Sequence, residues 1–539
     1  MSSVVEVLVE SFEQAGTPFI VGIPGEESLE MIEAARQRGM RFILMKQESA
    51  GAMLAATWGE ITGSPGVCLS TRAPGAANMV LGVTHAWMDR CPLIAITDQC
   101  AGPAYATGLR QRLDQLALYA PITKWNSSVN AEAVHRQARR AILTATAHAP
   151  GPVQLDIPAD ERMKEAVGGM GSAPLLPETA LISPDAISLA APLRLLKAAK
   201  RPVLLVGLGT LWSKASAELV AFAEKLGAPV FTTTKCKGVI PEDHALSAGC
   251  IFGGQMERKL ISQADLIITV GLDAVELQPL PWPYTVPVLA LSGVRNLDAI
   301  VPATVEVCSD LKGLLTALCH SAPEGAWGEK PARAFRQELD AALESPGKGL
   351  TPQRLMDIAR SVLPRDTIAT CDVGAGRLFS VPKWPVYAPR DYLVSNGIAS
   401  MGFAVPAAMA ARIAHPQRPV VAFIGDGSFL MAIAELHTCV KENLPITILV
   451  LDNGGLGVMG LKQELKGALR YGTDLGGIHW EHLARAFGAD CIKVDSENAL
   501  GDALGVAAKS GRTTIVAAKI VNASQYLEQY QTLLAAQRG

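Results

Sequence analysis

Residues 421–457 constrain the fold of this chain more than any other stretch. Residues 420–424 form a short apolar run, which predicts a buried strand of a parallel sheet. The turn Gly425-Asp426-Gly427 ends that run, and apolar residues at helical spacing follow it. A second apolar run at 446–451, rich in β-branched residues, ends at Asp452-Asn453-Gly454-Gly455. Strand, helix and strand in this order predict a right-handed βαβ crossover with parallel strands.

Polar residues follow both strands of this crossover. Asp426 and Asn453 should therefore emerge at the same carboxyl edge of the sheet, where open α/β sheets bind ligands. Ser428 is placed to cap the helix, which must end by about Asn443 because a proline follows. A carboxylate, an amide oxygen and a glycine carbonyl such as that of Gly455 suit Mg²⁺, and the helix amino terminus favours an anion. The crossover therefore predicts a site for a metal diphosphate.

The two turns of the crossover together resemble the cofactor signature of the thiamine diphosphate (ThDP) enzymes, in which GDG and a downstream asparagine ligate the metal. For either turn taken alone, an ordinary Rossmann-like crossover with turn-forming glycines is the alternative. The resemblance implies that ThDP and Mg²⁺ are the cofactors. The implied metal ligands are Asp426, Asn453 and Gly455, and the implied cofactor contacts in this crossover are Gly425, Gly427 and Ser428.

Composition places the chain among ordinary soluble proteins. Its 539 residues are 49% hydrophobic and 18% charged, with a net charge of −3, so no basic excess favours nucleic acid or an anionic membrane. Residues 1–16 predict an acidic amphipathic helix without the basic segment of a signal peptide. No apolar run reaches the ~20 residues of a membrane span. The ten cysteines are scattered without a C-x-x-C pair, which indicates free thiols and a cytoplasmic location.

Strand and helix patterns alternate along most of the chain, which predicts an α/β protein with three doubly wound parallel-sheet domains. We expect an N-terminal domain at 1–167, a central domain at 186–330 and a C-terminal domain at 350–539. Residues 168–184 are rich in Gly, Pro and Ser, which is typical of a linker. The resemblance implies that the N-terminal domain binds the pyrimidine ring of ThDP, that the C-terminal domain binds the diphosphate and the metal, and that the central domain is Rossmann-like.

A glutamate follows the second predicted strand. The segment MKQESAGAMLAATWGEITG at 45–63 resembles the family stretch H-E-x-x-A-x-x-x-A-x-G-x-x, in which the glutamate bonds the pyrimidine ring. The resemblance implies that Glu48 is catalytic, because a carboxyl group at the ring nitrogen favours the imino tautomer that removes the thiazolium C2 proton. A carboxylate that only stabilises a helix start is the alternative.

Two loops of the N-terminal domain match the family pattern with changes. The loop IPGE resembles the family's x-P-G loop, which implies that Pro24 contacts the cofactor, and Glu26 stands where relatives carry a small or hydroxyl residue. STRAPGAAN resembles T-S-G-P-G-A-T-N, with Arg72 in place of serine and with Asn78 as a cofactor contact. Because these loops are expected to face the reacting carbon, Glu26 and Arg72 are candidate catalytic residues. Arg72 either binds a substrate carboxylate or pairs with Glu26.

Three further segments carry candidate site residues by resemblance. TGLRQRLDQLALYAPITKW resembles the family's F-Q-x-x-D segment, which implies that Gln111 reaches the active site. The turn that ends at Gly374 resembles the family's D-V-G turn beside the diphosphate. SNGIASMGFAVP resembles S-G-G-L-G-T-M-G-F-G-L-P, which implies that Ala399 contacts the cofactor and that Met401 lies beneath the aminopyrimidine.

The central region carries a lone glycine pair at Gly207-Leu208-Gly209, which is weak evidence for a dinucleotide site. In the acetolactate synthase branch of the family, the equivalent domain binds FAD. The R-F-D-D-R type segment expected after the last strand of that site is replaced here by Leu272-Asp273-Ala274-Val275-Glu276. FAD is therefore not expected, and a structural role is the default.

The resemblance implies an enzyme that makes or breaks a C–C bond beside the carbonyl of a 2-oxo acid or a hydroxyketone. The leading hypothesis is an acetolactate synthase-like carboligase. A decarboxylase of the benzoylformate decarboxylase type, an aldehyde lyase and a non-catalytic paralogue are the alternatives. Decarboxylation stays open because acetolactate synthases carry Q-W after the crossover, where this chain has LKQE at 461–464. The family builds its sites between subunits, which implies a homodimer or homotetramer.

Overall fold

The computed structural model describes residues 2–169, 186–251, 255–277, 281–295, 301–345 and 349–534. These residues form three six-stranded sheets, and every pairing between neighbouring strands of those sheets is parallel. The predicted α/β class with three doubly wound parallel sheets is confirmed. Most of the predicted linker at 168–184 lies outside the described residues.

The first sheet has the strand order β2-β1-β3-β4-β6-β5. Its strands are β1 (Phe19–Gly22), β2 (Arg41–Leu44), β3 (Gly66–Ser70), β4 (Leu93–Gln99), β5 (Trp125–Ser128) and β6 (Pro152–Pro158). The helices of this part are α1 (Val4–Gln14), α2 (Leu29–Gln37), α3 (Glu48–Thr62), α4 (Ala73–Met88), α5 (Gly102–Thr107), α6 (Gln115–Tyr119) and α7 (Val134–Thr146). Connections leave β1 and β3 in opposite directions, so the gap between these two strands is a topological switch point.

The second sheet has a different strand order, β12-β11-β10-β7-β8-β9, and its switch point lies between β7 and β10. Its strands are β7 (Pro202–Val206), β8 (Val230–Thr232), β9 (Ser247–Cys250), β10 (Leu266–Val270), β11 (Val288–Ser292) and β12 (Val305–Cys308). The helices are α8 (Ala186–Ala198), α9 (Gly209–Trp212), α10 (Ser216–Leu226), α11 (Gln255–Ile261), α12 (Leu311–Ser321) and, after the last strand and α12, α13 (Glu329–Ala342).

The third sheet repeats the order of the first as β14-β13-β15-β16-β18-β17, with its switch point between β13 and β15. Its strands are β13 (Ile368–Cys371), β14 (Tyr392–Val394), β15 (Val420–Gly425), β16 (Thr447–Asp452), β17 (Asp490–Val494) and β18 (Thr514–Lys519). The helices are α14 (Pro352–Val362), α15 (Ala375–Lys383), α16 (Ala404–Ala414), α17 (Asp426–Ala432), α18 (Glu435–Lys441), α19 (Gly457–Leu465), α20 (Trp480–Phe487), α21 (Glu497–Lys509) and α22 (Leu527–Leu534).

The first and third sheets share one hydrophobic core, to which α3 contributes Trp58 and α16 contributes Met409. A polar contact joins the same two parts of the chain. Glu435 of α18 is buried, and its Oε1 accepts the N–H groups of Lys46 and Gln47, each at 3.0 Å. The segment that leads into α3 is therefore fixed to the third sheet's domain, and this positions the amino end of α3.

The crossover at 421–457 is present, with two local corrections. Strands β15 and β16 are adjacent and parallel, with Gly425 opposite Leu451. The expected single helix is two helices, α17 and α18, because Glu435 begins a new helix where its carboxylate binds the neighbouring domain. Ser428 does not cap α17. Gly425 is the N-cap residue, and Ser428 lies buried in the first turn.

Candidate active site

Asp426 joins the two turns of the crossover. It is the first residue of α17 and is only 2% exposed. Its Oδ1 accepts the N–H of Gly427 at 2.8 Å, and its Oδ2 accepts those of Asn453 at 3.2 Å and Gly455 at 3.0 Å. Burial raises the pKa of the Asp426 carboxyl, while the backbone N–H groups oppose the rise. The prediction that Asp426 and Asn453 meet at one sheet edge is therefore confirmed.

The turn after β16 is shaped by Asn453 and its glycines. The Asn453 Oδ1 accepts the N–H of Gly455 at 3.2 Å, and Gly454 has a φ of +73°, which favours glycine. A Cβ atom at Gly457 would lie 2.2 Å from the Asn453 Nδ2 atom, so a larger residue there would displace the amide. The glycines thus allow the backbone to fold closely around the Asn453 side chain.

A cavity of about 320 Å³ opens at the switch point between β13 and β15. Predicted site residues form much of its wall: Gly374, Met401, Gly425, Asp426, Gly427, Ser428, Asn453 and Gly455. Gly374 has a φ of +88°, and a Cβ there would meet no atom within 4 Å, so this wall leaves open space beside the amino end of α15. The structure therefore brings together all predicted metal ligands and most predicted cofactor contacts.

The donor set of this cavity fits a magnesium diphosphate. Among the described residues, no group of three or more His, Cys, Asp or Glu side chains could hold a metal ion. Asp426 instead offers one carboxylate, Asn453 an amide oxygen and Gly455 a backbone carbonyl. Mg²⁺ commonly takes few protein oxygens and completes its shell with phosphate oxygens and water. Free N–H groups at the amino end of α15, beside Gly374, suit the diphosphate itself.

The loop that carries Ala399 and Met401 is held by a buried carboxylate. Asp372 accepts the N–H groups of Gly402 and Phe403, each at 2.9 Å, and that of Ala404 at 3.3 Å. Burial raises the pKa of Asp372 to about 7, against the opposing effect of these N–H donors. Met401 lines the cavity, whereas Ala399 is exposed and has a φ of +51°.

Glu48 lies at the amino end of α3 and is 8% exposed. One of its carboxylate oxygens, Oε2, accepts an N–H of the Asn78 side chain at 3.3 Å. A Cβ at Gly75 would lie 3.1 Å from the other oxygen, so a glycine there leaves room for the carboxylate. Glu48 and Asn78 are thus brought together. Glu48 is not part of the wall of the cavity around Asp426, so one copy of the chain keeps these two half-sites apart.

Arg72 pairs with a residue that the sequence did not single out. Its guanidinium forms a salt bridge with Glu27, and one of its nitrogens donates to the Cys100 thiol at 3.4 Å. The predicted alternative of an Arg72–Glu26 pair is therefore wrong, because Glu26 is exposed while Glu27 lies against Arg72. The Nε of Arg72 is buried and has no hydrogen-bond partner among the described residues. Arg72 thus keeps a donor for a further group.

Comparisons with known proteins give the same assignment over most of the chain. Models of the thiamine pyrophosphate enzymes match the N-terminal TPP binding domain at 2–118, the central domain at 189–318 and the C-terminal TPP binding domain at 372–518. A "Probable acetolactate synthase large subunit" of Methanocaldococcus jannaschii is 30% identical over 93% of this chain and 88% of its own length. The chain belongs to the thiamine pyrophosphate enzyme family.

Two further relatives of this thiamine pyrophosphate enzyme carry related names. The acetolactate synthase isozyme 1 large subunit of Escherichia coli is 30% identical over 91% of this chain and 89% of its own length. The chloroplastic acetolactate synthase of Arabidopsis thaliana is 31% identical over 87% of this chain and 73% of its own length.

Among the described residues, no helix has both the length and the apolar composition that crossing a membrane requires.

Two other predicted residues of this thiamine pyrophosphate enzyme, Pro24 and Gln111, are not part of the wall of the cofactor cavity. Gln111 is exposed and has a φ of +55°, and Pro24 is half-buried in the loop after β1. The nearby Gln115, which the sequence did not single out, is buried and donates to Asp156 Oδ1 at 2.7 Å. The roles of Gln111 and Pro24 stay predictions.

The switch point of the central sheet holds a carboxylate of the chain itself. The Oε2 of Glu276 accepts the N–H groups of Leu208 at 2.8 Å and Asp273 at 3.2 Å, and Thr233 donates its hydroxyl to Oε1. Burial raises the pKa of Glu276 to about 7, although these donors oppose the rise. A Cβ at Gly207 would lie only 2.4 Å from this carboxylate. Glu276 therefore fills the glycine turn after β7.

Proposed function

We propose that this thiamine pyrophosphate enzyme is an acetolactate synthase-like carboligase that joins two 2-oxo acids with ThDP and Mg²⁺. The observation that carries the proposal is the cradle formed by Asp426, Asn453 and Gly455 at the mouth of a switch-point cavity, with Glu48 on a second domain. The names of the relatives support carboligation within the family.

In this proposal each residue has a defined task. Asp426, Asn453 and the Gly455 carbonyl hold Mg²⁺, and Met401 supports the aminopyrimidine. When bound, ThDP would supply a carbon nucleophile for the carbonyl carbon of a 2-oxo acid. Glu48 shares a proton with the pyrimidine ring nitrogen, and its burial and its bond from Asn78 keep the carboxyl oriented for this task.

The direct test is product analysis with pyruvate as the only substrate, in the presence of ThDP and Mg²⁺. We expect carbon dioxide and a condensed hydroxy-oxo acid, because a carboligase passes the decarboxylated carbon to a second 2-oxo acid. Acetaldehyde as the only organic product would instead support the second candidate, a simple 2-oxo acid decarboxylase. The segment LKQE at 461–464 favours that candidate, because it replaces the Q-W of the acetolactate synthases.

We propose that FAD is not a cofactor of this enzyme. Glu276 supports this, because its carboxylate fills the space at the glycine turn and takes the N–H of Leu208, which a dinucleotide's phosphates would need there. We expect the purified protein to lack visible flavin absorption and to give no binding heat when FAD is titrated in a calorimeter. A flavin that stays bound through gel filtration would contradict this prediction.

We propose that two copies of the chain assemble through the face around the cofactor cavity, as a homodimer or a dimer of dimers. Glu48 and Asp426 lie in separate half-sites of one copy, so a second copy would complete each site. Exposed large side chains support the proposal: Met459 on the cavity wall is 44% exposed, Met431 of α17 is 58% exposed, and Leu469 and Tyr471, which follow α19, are 90% and 88% exposed. Mass measurement of the assembly by light scattering tests this.

We also propose domain limits at 1–167, 186–330 and 350–539, since the strands of the three sheets fall within 19–158, 202–308 and 368–519. A small-molecule substrate and a cytoplasmic location complete the proposal. All ten cysteines are free thiols, which supports a reducing compartment.

Arg72 is proposed to bind the substrate carboxylate, with Glu27 as its partner in the free enzyme. We expect Arg72→Ala to raise KM for pyruvate about tenfold and to change kcat less, because a charge-assisted hydrogen bond contributes about 1.5–3 kcal/mol. Arg36→Ala is the matched control, since Arg36 lies in the same domain and also pairs with a glutamate, Glu33, but does so on the exposed face of α2. Equal losses with a neutral aldehyde substrate would contradict the carboxylate role.

A further inference from the structure

A buried ion network lies where the three domains meet. Glu60 of α3 and Asp89 at the end of α4 come from the first domain, and Lys235 follows β8 of the central domain. All three residues are buried, and Lys235 is only 2% exposed. Neither the cofactor cavity nor the half-site around Glu48 includes Lys235. The network therefore needs an explanation outside the sites described above.

Lys235 neutralises the network. Its Nζ lies 2.8 Å from the Glu60 carboxylate and 3.9 Å from Asp89 Oδ2, and it donates to the carbonyl of Val394 at 3.3 Å. Burial disfavours the charge of Lys235, but Asp89 and Glu60 outweigh it and hold the pKa of Lys235 above its usual value. A buried charge with these partners stays ionised, and removing it leaves carboxylates without compensation.

Asp89 carries the network to the third domain. Its Oδ1 accepts the N–H of Gly397 at 2.7 Å, and both oxygens accept that of Asn396 at 3.0 Å. His85, one turn earlier on α4, has its Nδ1 atom 2.8 Å from Asp89 and 3.1 Å from the Ser395 hydroxyl. Asp89, together with His85, is thus a buried anchor for residues 395–397, which directly follow the Lys235 contact at Val394.

The anchored segment is the loop of Ala399 and Met401, and its other end is also fixed. Asp372 binds the N–H groups of Gly402 and Phe403, as described above. Between the two anchors, Ala399 has a φ of +51°, a conformation that non-glycine residues seldom adopt. Such a conformation persists only where surrounding contacts impose it. Both buried carboxylates supply those contacts.

We propose that Lys235 is a positioning residue for the cofactor: through Glu60 and Asp89, it fixes the loop that presents Ala399 and Met401 to ThDP. This inference rests on the proposed function of the cavity. It assigns the central domain a part in cofactor affinity, although that domain does not line the cofactor cavity. The coupling passes through direct contacts, from Lys235 to the two carboxylates and from Asp89 to the backbone of the loop.

The chain offers a matched comparison two residues away. Lys237 is also buried and also pairs with one carboxylate, Glu242, with 2.7 Å to each oxygen. It also bridges to the third domain, since it donates to the carbonyl of Val381 at 2.7 Å, and Glu242 accepts the N–H of Val386 at 2.8 Å. Among the described residues, Lys237 forms no ion pair or hydrogen bond with Asp89, the carboxylate through which Lys235 reaches the 395–402 loop. Its Nζ atom lies over the ring of Tyr392 in β14, 5.7 Å from the ring centre. A general loss of interdomain packing should affect both lysine variants alike.

The experiment compares Lys235→Met with Lys237→Met in the full-length enzyme. Both variants should unfold at lower temperature than the wild type, because Lys235→Met leaves buried Glu60 and Asp89, and Lys237→Met leaves half-buried Glu242, without their lysine partner. We expect only Lys235→Met to raise the Kd for ThDP, about tenfold, as loss of residues that orient a binding group typically does. Calorimetric titration of ThDP in excess Mg²⁺ gives the Kd, and kcat at saturating ThDP should fall much less.

A second variant separates the effect on ThDP binding from a loss of folding. Glu60→Gln combined with Lys235→Met removes both charges, so it should fold better than Lys235→Met alone while still weakening ThDP binding. An unchanged Kd in Lys235→Met, or an equal rise in Lys237→Met, would overturn the positioning role while the proposed function stands. Absence of Mg²⁺-dependent ThDP binding by the wild type would overturn both.

Discussion

Glu48→Gln is expected to lower kcat by about three orders of magnitude at saturating ThDP and Mg²⁺, within the ~10²–10⁴ range of general acid–base catalysis. The amide keeps the size of the side chain but cannot share a proton with the pyrimidine ring nitrogen. Because Glu48 is buried and takes a hydrogen bond only from Asn78 among the described residues, no neighbouring carboxylate contacts it as a substitute. Steady-state assays with pyruvate give kcat, and calorimetry gives the Kd for ThDP, which should change less than tenfold.

Glu276→Gln is the matched control for this prediction. Glu276 is also a glutamate that accepts hydrogen bonds inside the protein, in its case from the backbone N–H groups of Leu208 and Asp273, but it lies at the switch point of the central sheet. The substitution should therefore lower thermal stability without a comparable loss of kcat. Full turnover by Glu48→Gln would contradict the proposed activation of ThDP. A loss confined to the Kd would instead make Glu48 a binding residue.

Local sequence signals were sufficient to predict the crossover and its metal turns. Asp426 and Asn453 come directly after apolar runs, and parallel strands place such residues at one edge, so only the chain order was needed. The helix was predicted as one piece because its apolar spacing continues past 433. The break before Glu435 depends on backbone donors at Lys46 and Gln47, which are almost 400 positions away in the sequence and carry no local signal.

Other features depend on which way a side chain faces after folding. The sequence does not distinguish Glu26 from Glu27, because they are neighbouring residues of the same type. Only the short helical turn in this loop directs the Glu27 side chain to Arg72 and the Glu26 side chain to solvent. Strand β5, with the sequence WNSS, is a polar edge strand and carries no apolar pattern that would predict it. Lys235 lies in a polar turn whose burial arises only when three domains meet, so its partners could not be predicted.

The resemblance to the family identified site residues that neither residue spacing nor composition could identify. The cavity wall now places Gly374, Met401 and Ser428 together, although they are far apart in the sequence and unremarkable as single residues. The residue types in the two turns predict a site for a metal diphosphate. The resemblance to the family identifies that diphosphate as ThDP. No sequence motif identifies the substrate in the same way. Arg72 departs from the family motif, and its salt-bridge partner, Glu27, is known only from the folded structure.

Asp426→Asn should abolish Mg²⁺-dependent ThDP binding, with a rise in Kd of at least about a hundredfold. The change removes the one carboxylate of the donor set, and Mg²⁺ in such sites depends on a charged oxygen ligand. It also places an amide NH₂ against backbone donors, because Gly427, Asn453 and Gly455 all donate N–H groups to Asp426. A buried donor left without an acceptor costs about 1–3 kcal/mol, so the unfolding temperature should fall as well.

Thermal unfolding with and without ligand separates these two effects. A ligand at a hundred times its Kd stabilises the folded state by about 2.7 kcal/mol, so ThDP with Mg²⁺ should raise the unfolding temperature of the wild type and not that of Asp426→Asn. Asp391→Asn is the control, since Asp391 is a buried carboxylate before β14 of the same domain, pairs with Arg418 at 2.7 Å and is not part of the cavity wall. It should lose stability but keep the ligand-induced rise. A normal rise in Asp426→Asn would show that the metal diphosphate is held elsewhere.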